Sequence, residues 1–231
     1  MPLLFTHPSF DLAIWKIVET WQELFDLIQN KTLFAEDIQK IHSDTRKCEW
    51  IAVRLLVKHL VGSEIPVCYG ENGAPFLKDH SYPISITHTK GYAAILLSIG
   101  PYPGLDIEYL SERAWNLRSK YLNIKELELF EAVQHAIPIN KNVDTLTPDS
   151  QSGLPPYASK SQLATICWCA KETAFKALQA TEVDFIEHLH IEPFILSETG
   201  ELFLKETKTS KQETYRIHYQ ISDDYIITWK V

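Results

Sequence analysis

Hydrophobic positions in the N-terminal part of the chain follow a helical period. From Ser9 to Gln29 apolar residues recur every three or four positions, and Asp11 would lie in the first turn of the resulting helix. A second amphipathic stretch begins after Ser43, which can cap a helix, and stops at Gly62. Two helices are therefore predicted, the second with an apolar stripe of Trp50, Val53, Leu56, Val57 and Leu60.

The middle of the chain changes to the pattern of strands. Residues 71–75 (Glu-Asn-Gly-Ala-Pro) and 87–91 (Thr-His-Thr-Lys-Gly) are typical of turns or bends. The run Tyr92–Ile99 is continuously apolar, which is typical of a strand buried on both faces. We therefore expect strands at Tyr82–Thr87, Tyr92–Ile99 and Leu105–Leu110.

The C-terminal part combines helices with short strands. Helical spacing returns at Asn123–Ala136 and, more strongly, at Leu163–Leu178. Residues 138–161 are polar, contain proline and lack a period, so we predict an exposed loop or lid there. Further strands are predicted at His188–Leu196, Glu201–Lys205, Tyr215–Ile221 and Tyr225–Val231.

The two parts of the chain share an order of elements. Each runs from a long helix through a short strand and a turn to a pair of apolar strands. This order predicts an α+β fold of two similar halves, residues 1–110 and 111–231. Each half would pack a small, mostly antiparallel sheet against a long helix, and the active site would lie in the cleft between them.

Composition and charge narrow the classes of function. A chain of 231 residues can bury a sizeable core in one domain or in two small ones. The net charge of -8 argues against a general nucleic-acid binder, because phosphate backbones require a basic surface. No apolar run reaches the length of a membrane span, and the first residues lack the features of a signal peptide. We therefore expect a cytoplasmic protein without membrane contact.

The cysteines do not suggest a metal site. They form no C-x-x-C pair, and in a reducing compartment buried free thiols are expected for Cys48, Cys68, Cys167 and Cys169. The pair around Trp168 lacks the further ligands that a tetrahedral site needs.

Two carboxylates, Asp106 and Glu108, are the first candidate functional residues. Residues two apart on a strand point to the same face, so both carboxylates would project one way. Adjacent carboxylates repel each other unless a cation lies between them. The alternative is the solvated face of an edge strand. The apolar run before them indicates a buried sheet and favours the metal site.

A third carboxylate lies on the later predicted helix. Glu172 and Lys176 are four residues apart and share a face with Trp168. Alone, they would be a routine ion pair. Combined with Asp106 and Glu108, they supply a third oxygen ligand or a general base, and a cation for a phosphate. Hard oxygen ligands beside phosphates favour Mg²⁺ over zinc.

Two further residues are weaker candidates. His88 lies between Thr87 and Thr89, and together these side chains offer several donors to an anion. A histidine in a turn is, however, usually solvated. Arg54 lies on the helix whose apolar stripe packs inward, and its side chain is expected to be exposed to solvent.

Taken in order, several of these motifs resemble those of the 4'-phosphopantetheinyl transferases. The length and the two-half organisation resemble the Sfp-type branch of that family, whose members are pseudo-dimeric monomers. The resemblance covers roughly Arg46 to Gln179. The motifs are Pro75–Leu77, Ile84–Thr89, Gly91–Ala94, Gly104–Glu108, Trp168–Glu172 and Lys176.

The resemblance implies a reaction and its partners. Such enzymes move the phosphopantetheine arm of coenzyme A to a serine of an apo acyl or peptidyl carrier protein and release 3',5'-ADP. It implies Mg²⁺ held by Asp106, Glu108 and Glu172 against the pyrophosphate. Glu172, or a water held by Glu108, would accept the serine proton. Lys176 would stabilise the charge on the leaving phosphate.

The resemblance also implies the coenzyme contacts. Lys171, His88 and Arg54 match positions that contact the phosphates, while Thr87 and the Gly73–Pro75 turn match the nucleotide side. The chain departs from the family pattern at three places. Ala74 replaces a basic residue, Thr-His-Thr replaces Ser-His-Ser, and Gln179-Ala180-Thr181 follows the second helix where many members have a glycine-rich turn.

Three other functions compete with this interpretation. A relative could hold coenzyme A or a carrier protein without catalysing transfer, and the intact carboxylate set argues against that. A Mg²⁺-dependent phosphohydrolase would use the same carboxylates on water. An α+β interaction protein would not bind coenzyme A. The sequence leaves open which carrier protein is served.

Overall fold

The computed structural model describes residues 3–7, 9–128 and 160–231. Within these residues the chain is a mixed fold of antiparallel sheets and helices. The predicted loop at 138–161 lies outside the described residues, except for Lys160 and Ser161, which begin a helix. The predicted helix at Asn123–Ala136 is described as far as residue 128 and is helical at 124–128.

Six strands precede residue 100. They are β1 (Leu3–His7), β2 (Phe10–Lys16), β3 (Val67–Tyr69), β4 (Pro75–Leu77), β5 (Ile84–Thr89) and β6 (Tyr92–Ser98). Four of them form an antiparallel sheet in the order β1-β2-β6-β5, while β3 and β4 pair separately. The predicted bend at 87–91 is shorter than expected. Thr87–Thr89 belong to β5, and the turn is confined to Lys90 and Gly91.

The predicted helix over Ser9–Gln29 is wrong in its first half. Phe10–Lys16 forms β2, and only Trp21–Asp26 forms a helix, α1. The strand lies between two hydrophobic cores, with Leu12 and Ile14 in one and Ala13 and Trp15 in the other. A strand buried on both faces is apolar at nearly every position. Its residues therefore also satisfy a helical spacing.

The second predicted helix is confirmed at both ends. It follows α2 (Ala35–Gln39) and forms α3 (Asp44–Val61). The Ser43 hydroxyl accepts the backbone N–H of Arg46, and Gly62 ends the helix with a φ of 81°. Its apolar residues pack with those of the first sheet in one core.

The second sheet has five antiparallel strands. They are β7 (Gly104–Tyr109), β8 (Leu189–Ile191), β9 (Thr199–Glu206), β10 (Thr214–Ile221) and β11 (Tyr225–Lys230). Their order is β7-β11-β10-β9-β8. The prediction for His188–Leu196 is too long, because β8 stops before Pro193, which has no N–H to donate to a sheet.

Helices α4 (Arg113–Leu117), α5 (124–128), α6 (Lys160–Leu178) and α7 (Phe185–His188) accompany the second sheet. The long helix α6 packs with this sheet in a second core that includes Ile166, Ala170 and Ala174. β7 lies before the predicted boundary at residue 110 but pairs along its length with β11. The division at residue 110 stays a prediction.

A third core joins the two sheets. The faces of β2 and β6 turned away from α3 meet the side chains of Leu105 and Ile107 on β7, and those of Tyr225 and Ile227 on β11. Both faces of β6 are thus buried, as its continuous apolar run predicts.

Two smaller expectations are also tested. The four cysteines are free, as predicted, but only Cys167 and Cys169 are fully buried, while Cys48 and Cys68 are half-buried. Among the described residues, no helix has the length and apolar character needed to cross a membrane.

Gly104 is the point of closest approach between β7 and α6. A β-carbon at this position would collide with the Thr173 carbonyl oxygen and crowd the Thr173 side chain. The helix backbone therefore rests on the strand where the strand has no side chain, two residues before Asp106.

Gly104→Ala is expected to lower the free energy of unfolding by about 1–3 kcal/mol, because the added methyl group must push α6 off β7. Gly100→Ala is the matched control, since its β-carbon would come no closer than 3.6 Å to a neighbour, the Ser98 hydroxyl. The control should change stability by at most about 0.5 kcal/mol. Urea unfolding of both variants measures the difference, and equal stabilities would show that the close approach is dispensable.

Candidate active site

Asp106 occupies the centre of the candidate site. It lies on β7 and is only 5% exposed. Its Oδ1 accepts a hydrogen bond from the Thr87 hydroxyl at 3.0 Å and another from the Lys176 ammonium group at 2.8 Å. Within the described residues, its buried Oδ2 has no hydrogen-bond partner. One oxygen of a buried carboxylate is therefore left for a ligand.

Glu108 lies beside Asp106 on the same face of β7, as its spacing predicts. Its Oε2 accepts from the Thr89 hydroxyl at 3.2 Å, and its Oε1 accepts from the Trp168 indole N–H at 3.1 Å. Burial raises the pKa of Glu108, and the charge of Asp106 raises it further. The two hydrogen bonds oppose that rise because they stabilise the ionised form.

Glu172 on α6 lies close enough to feel the charges of both carboxylates. Burial, followed by the charge of Asp106, raises the pKa of Glu172 to about 7, while Lys176 opposes the rise. A carboxyl group with a pKa near neutrality can accept and return a proton under physiological conditions. The structure thus brings the three predicted carboxylates together.

Lys176 lies one helical turn after Glu172 and reaches β7. Its ammonium group donates to the Leu105 carbonyl oxygen at 2.8 Å and to Asp106 Oδ1. This ammonium group pairs with Asp106, and its charge also opposes the rise in the pKa of Glu172.

The carboxylates of Asp106, Glu108 and Glu172 form a cluster that is chemically suited to bind a divalent cation. Carboxylate oxygens are the ligands that Mg²⁺ prefers, the Asp106 Oδ2 is unpartnered, and burial, followed by the charge of Asp106, raises the pKa values of Glu108 and Glu172. As they stand, no three His, Cys, Asp or Glu side chains of the described residues are arranged to hold a metal ion. Lys176 and the two threonines instead engage the Asp106 and Glu108 oxygens.

A cavity of about 320 Å³ adjoins the cluster. Its wall is formed by α3, β5, the turn before β4 and the end of α6. Four cationic or potentially cationic side chains line it: Arg46, Arg54, His88 and Lys176. In a protein of net charge -8, this concentration of basic groups is local and suits an anionic ligand.

Arg54 is buried in this wall, with only 4% exposed, rather than solvated. Its guanidinium stacks on the Trp50 ring at 3.7 Å and donates to the Trp50 carbonyl oxygen at 3.2 Å. Burial lowers the pKa of Arg54 to about 10. Its Nε has no hydrogen-bond partner among the described residues. A buried cation with an unused donor is available to an anion.

His88 also lines the cavity and contacts α3. Its Nδ1 is 3.3 Å from a Glu49 carboxylate oxygen, and its Nε2 is paired with Arg46. Burial lowers the pKa of His88, and the Glu49 charge opposes this. The side chain is therefore held by two residues of α3 rather than left in solvent.

Of the residues predicted to contact the nucleotide, some line the cavity and one does not. Gly73 and Pro75 line the cavity, and Gly73 has a φ of 79°, which favours glycine. Thr87 does not line it; its buried hydroxyl is used by Asp106 and by the Ile107 backbone. Gln179 also lines the cavity and has a φ of 50°, a strained value for a side chain that is not glycine.

The structure does not bring Lys171 to the cavity, contrary to the expectation of a phosphate contact. Its ammonium group is fully buried and donates to Glu126 and to the carbonyl oxygens of Tyr121 and Phe185, at 2.7 to 2.9 Å. These three acceptors use all three N–H donors. Lys171 is therefore part of the packing between α6 and α5.

Sequence reasoning missed several residues of the site. Arg46, Glu49 and Trp50 lie on the same side of α3 as Arg54, at spacings of three and four residues, and a helical projection could have grouped them. Tyr69 and Phe175 also line the cavity. No sequence signal identified those two, because the contact depends on the packing of distant elements.

One comparison with known proteins gives a match. Residues 102–230 match the family model of the 4'-phosphopantetheinyl transferase superfamily. The match covers more than half of the chain and includes β7 and α6, and thus all three carboxylates and Lys176. Arg54 and His88 lie outside the matched residues. A search of curated proteins returns no match.

The raised pKa of Glu172 predicts a dependence of stability on pH. Between the unfolded value of 4.5 and the folded value of about 7, the folded chain binds more protons at this residue than the unfolded chain does. The contribution to stability is fully present below the unfolded pKa and is lost as the pH rises through about 7.

We therefore expect the unfolding free energy of the wild type, minus that of Glu172→Gln, to fall by on the order of 2–3 kcal/mol from pH 4 to pH 8. Urea unfolding at several pH values without divalent cations measures it. Glu36→Gln, at an exposed glutamate of α2, controls for the loss of a charge. A difference that stays constant with pH would contradict the assigned proton.

Proposed function

Because the chain belongs to the 4'-phosphopantetheinyl transferase superfamily, we propose that it transfers the phosphopantetheine arm of coenzyme A to a serine of an apo carrier protein. In this reaction the serine oxygen attacks the β-phosphorus of the pyrophosphate. A new phosphorus–oxygen bond forms, the bond to the nucleotide breaks, and 3',5'-ADP leaves.

A single observation carries the proposal. Lys176 links two features: it pairs with Asp106, whose charge acts on Glu108 and Glu172, and it lines the cavity together with Arg46, Arg54 and His88. A cavity that holds phosphates beside oxygen ligands for a cation is the arrangement that phosphoryl-transfer chemistry needs. Neither feature alone would identify it.

The cavity is assigned to coenzyme A. Its volume of about 320 Å³ is within the range of small-molecule sites. Arg54 and His88 would contact phosphate oxygens. Arg54 offers its unpartnered Nε, whereas for His88 a phosphate would have to take the place of Arg46 or Glu49 as its partner. The turn of Gly73 to Pro75 would contact the nucleotide. The Trp50 ring and Tyr69 supply apolar surface for the rest of the nucleotide.

Asp106, Glu108 and Glu172 would hold Mg²⁺. When bound, this ion neutralises charge on the pyrophosphate and orients it for in-line displacement. The chain's own residues then have separate tasks. Glu172, or a water held by Glu108, would accept the serine proton. Lys176 stabilises charge that develops on the leaving phosphate.

The finer assignments of architecture belong to the same proposal. We place the chain in the Sfp-type branch, with residues 1–110 and 111–231 as two related halves of one monomer. Each half has one long helix on an antiparallel sheet, α3 on the first and α6 on the second. One chain supplies both sides of the site, because α3 lines the cavity and α6 contributes Glu172.

An inactive relative that only holds coenzyme A or a carrier protein is the alternative. The unpartnered Asp106 oxygen and the raised pKa of Glu172 favour catalysis, because a site that only binds anions would gain nothing from either. Crowded carboxylates would repel the phosphates of coenzyme A if no cation lay between them.

Transfer itself is tested by intact-mass spectrometry of an apo acyl carrier protein incubated with this protein, coenzyme A and Mg²⁺. The wild type should add one phosphopantetheine arm, and EDTA should prevent this. Asp106→Asn should lower the rate by at least about a hundredfold while preserving the unfolding midpoint, since it keeps the shape and removes the charge.

Asp223→Asn, at an exposed turn of the same sheet, is the matched control for charge and should transfer at the wild-type rate. Phosphopantetheine released without a carrier would instead identify a hydrolase. No gain of mass on either an acyl or a peptidyl carrier, with retained binding of coenzyme A, would identify the inactive binding module.

Arg54→Met is expected to weaken coenzyme A binding by roughly tenfold to a hundredfold, because a buried charged donor to phosphate is lost. Calorimetric titration measures this. Arg118→Met is the matched control: Arg118 stacks on Trp115 at 3.9 Å and donates to its carbonyl oxygen at 2.9 Å, as Arg54 does with Trp50, but does not line the cavity. Equal losses in both variants would exclude a specific role for Arg54.

A further inference from the structure

The junction between the two sheets is made by side chains. β5 and β7 are edge strands of their sheets and lie next to each other, yet no backbone ladder joins them among the described residues. An edge strand presents backbone N–H groups that need acceptors when they are buried. At this edge the acceptors are hydroxyl groups of β5.

Each of two threonines makes two hydrogen bonds across the junction. The Thr87 hydroxyl accepts the Ile107 N–H at 3.3 Å and donates to Asp106 Oδ1. The Thr89 hydroxyl accepts the Tyr109 N–H at 3.1 Å and donates to Glu108 Oε2 at 3.2 Å. The two threonines therefore repeat one pattern: each binds the backbone of β7 and the carboxylate one residue earlier.

This pattern fixes the direction of each hydroxyl proton. A hydroxyl group has one proton, and its oxygen accepts through lone pairs. The backbone N–H occupies the acceptor side, so the proton is directed to the carboxylate. Glu108 receives a second hydrogen bond from Trp168, on its other oxygen. Both oxygens of Glu108 are thus held, from two different elements, and the rotation of its carboxylate is restricted.

We infer that Thr89 is a positioning residue, which acts through Glu108 and, with Trp168, sets the orientation of that carboxylate for catalysis. Thr87 does the same for Asp106. The inference deepens the proposed function and rests on it for the kinetic effects. The contacts themselves stand independently of any activity.

The choice of threonine suits this role. A β-branched side chain has few rotamers, so less conformational entropy is lost when its hydroxyl is fixed between two partners. Serine keeps the hydroxyl but rotates more freely. Valine keeps the branched shape and removes both hydrogen bonds. Comparing these two replacements therefore distinguishes the contribution of the hydroxyl group from that of the packed methyl group.

The experiment compares Thr89→Val, Thr89→Ser and the wild type. Thr165→Val is the control, because Thr165 is a buried threonine whose hydroxyl, among the described residues, bonds to the Ser161 carbonyl oxygen of its own helix and not to a carboxylate. Steady-state transfer to an apo carrier is measured against coenzyme A and against Mg²⁺. Amide hydrogen exchange of Tyr109 and Ile107 is measured by NMR without coenzyme or metal.

Thr89→Val should lower kcat by about tenfold to a hundredfold, raise the Mg²⁺ concentration needed for half-maximal activity and leave KM for coenzyme A within about twofold. Thr89→Ser should restore most of kcat, and Thr165→Val should match the wild type. The Tyr109 amide should exchange faster in the valine variant, while that of Ile107 stays protected by Thr87.

Unchanged kcat in Thr89→Val would overturn the inference, as would equal losses in the serine and valine variants. A loss of protection along the whole of β7 would reduce the role to folding. If the wild type transfers nothing, the proposed function has failed. The exchange of Tyr109 still decides whether the Thr89 contact exists.

Trp168→Phe provides a second test if Thr89→Val does not fold. It removes the hydrogen bond to the other Glu108 oxygen and keeps an aromatic ring against Tyr121 and Phe185. This variant should also lower kcat while leaving KM for coenzyme A nearly unchanged. If both single variants fold, their effects should combine less than multiplicatively in the double variant, because both act on one carboxylate. Multiplicative effects would argue against a shared target.

Discussion

The contact between α6 and β7 at Gly104 determines where the functional groups lie. The Thr173 backbone rests on the strand, and the Thr173 hydroxyl lies 2.6 Å from that of Thr228 on β11, the strand beside β7. Glu172 precedes this contact and Lys176 follows it by three residues, so both side chains are carried to β7 by the same turn of helix. A larger residue at 104 would separate Glu172 from Asp106.

That closeness has an electrostatic cost, which the surrounding residues offset only in part. One ammonium group, two hydroxyl groups and one indole N–H serve Asp106 and Glu108. Burial is the main cause of the raised pKa values of Glu108 and Glu172, and the charge of Asp106 adds to it. A divalent cation would relieve the repulsion between the carboxylates, and phosphates beside Arg54 and His88 would complete the balance of charge. Binding of metal and binding of coenzyme are therefore expected to favour each other.

Elements with local sequence signals were predicted correctly. The predictions were wrong where tertiary packing determines the structure. The ends of α3 follow from Ser43 and Gly62, and the common direction of Asp106 and Glu108 follows from the period of a strand. The strand β2 was mistaken for a helix because burial on two faces removes its polar positions. Lys171 was misplaced for a different reason: it lies five residues from Lys176, about 140° around the helix, so both cannot face one cavity. The helical period could have shown that only one of the two lysines lines the cavity. It could not show which face of α6 packs against β7.

The strand β5 connects the two chemical parts of the site through its alternation. Thr87 and Thr89 point toward β7 and its carboxylates, while His88 between them points toward Glu49 and Arg46 on α3. One strand thus holds the carboxylates with one face and the cationic cavity wall with the other. A shift of its register by one residue would direct the imidazole at the carboxylates and the hydroxyl groups at the cavity. β6, which pairs with β5, is apolar on both faces and does not select a register, but β5 itself alternates: Ile84 and Ile86 pack in the first core. The alternation of β5 therefore sets which of its side chains meet the carboxylates and which line the cavity.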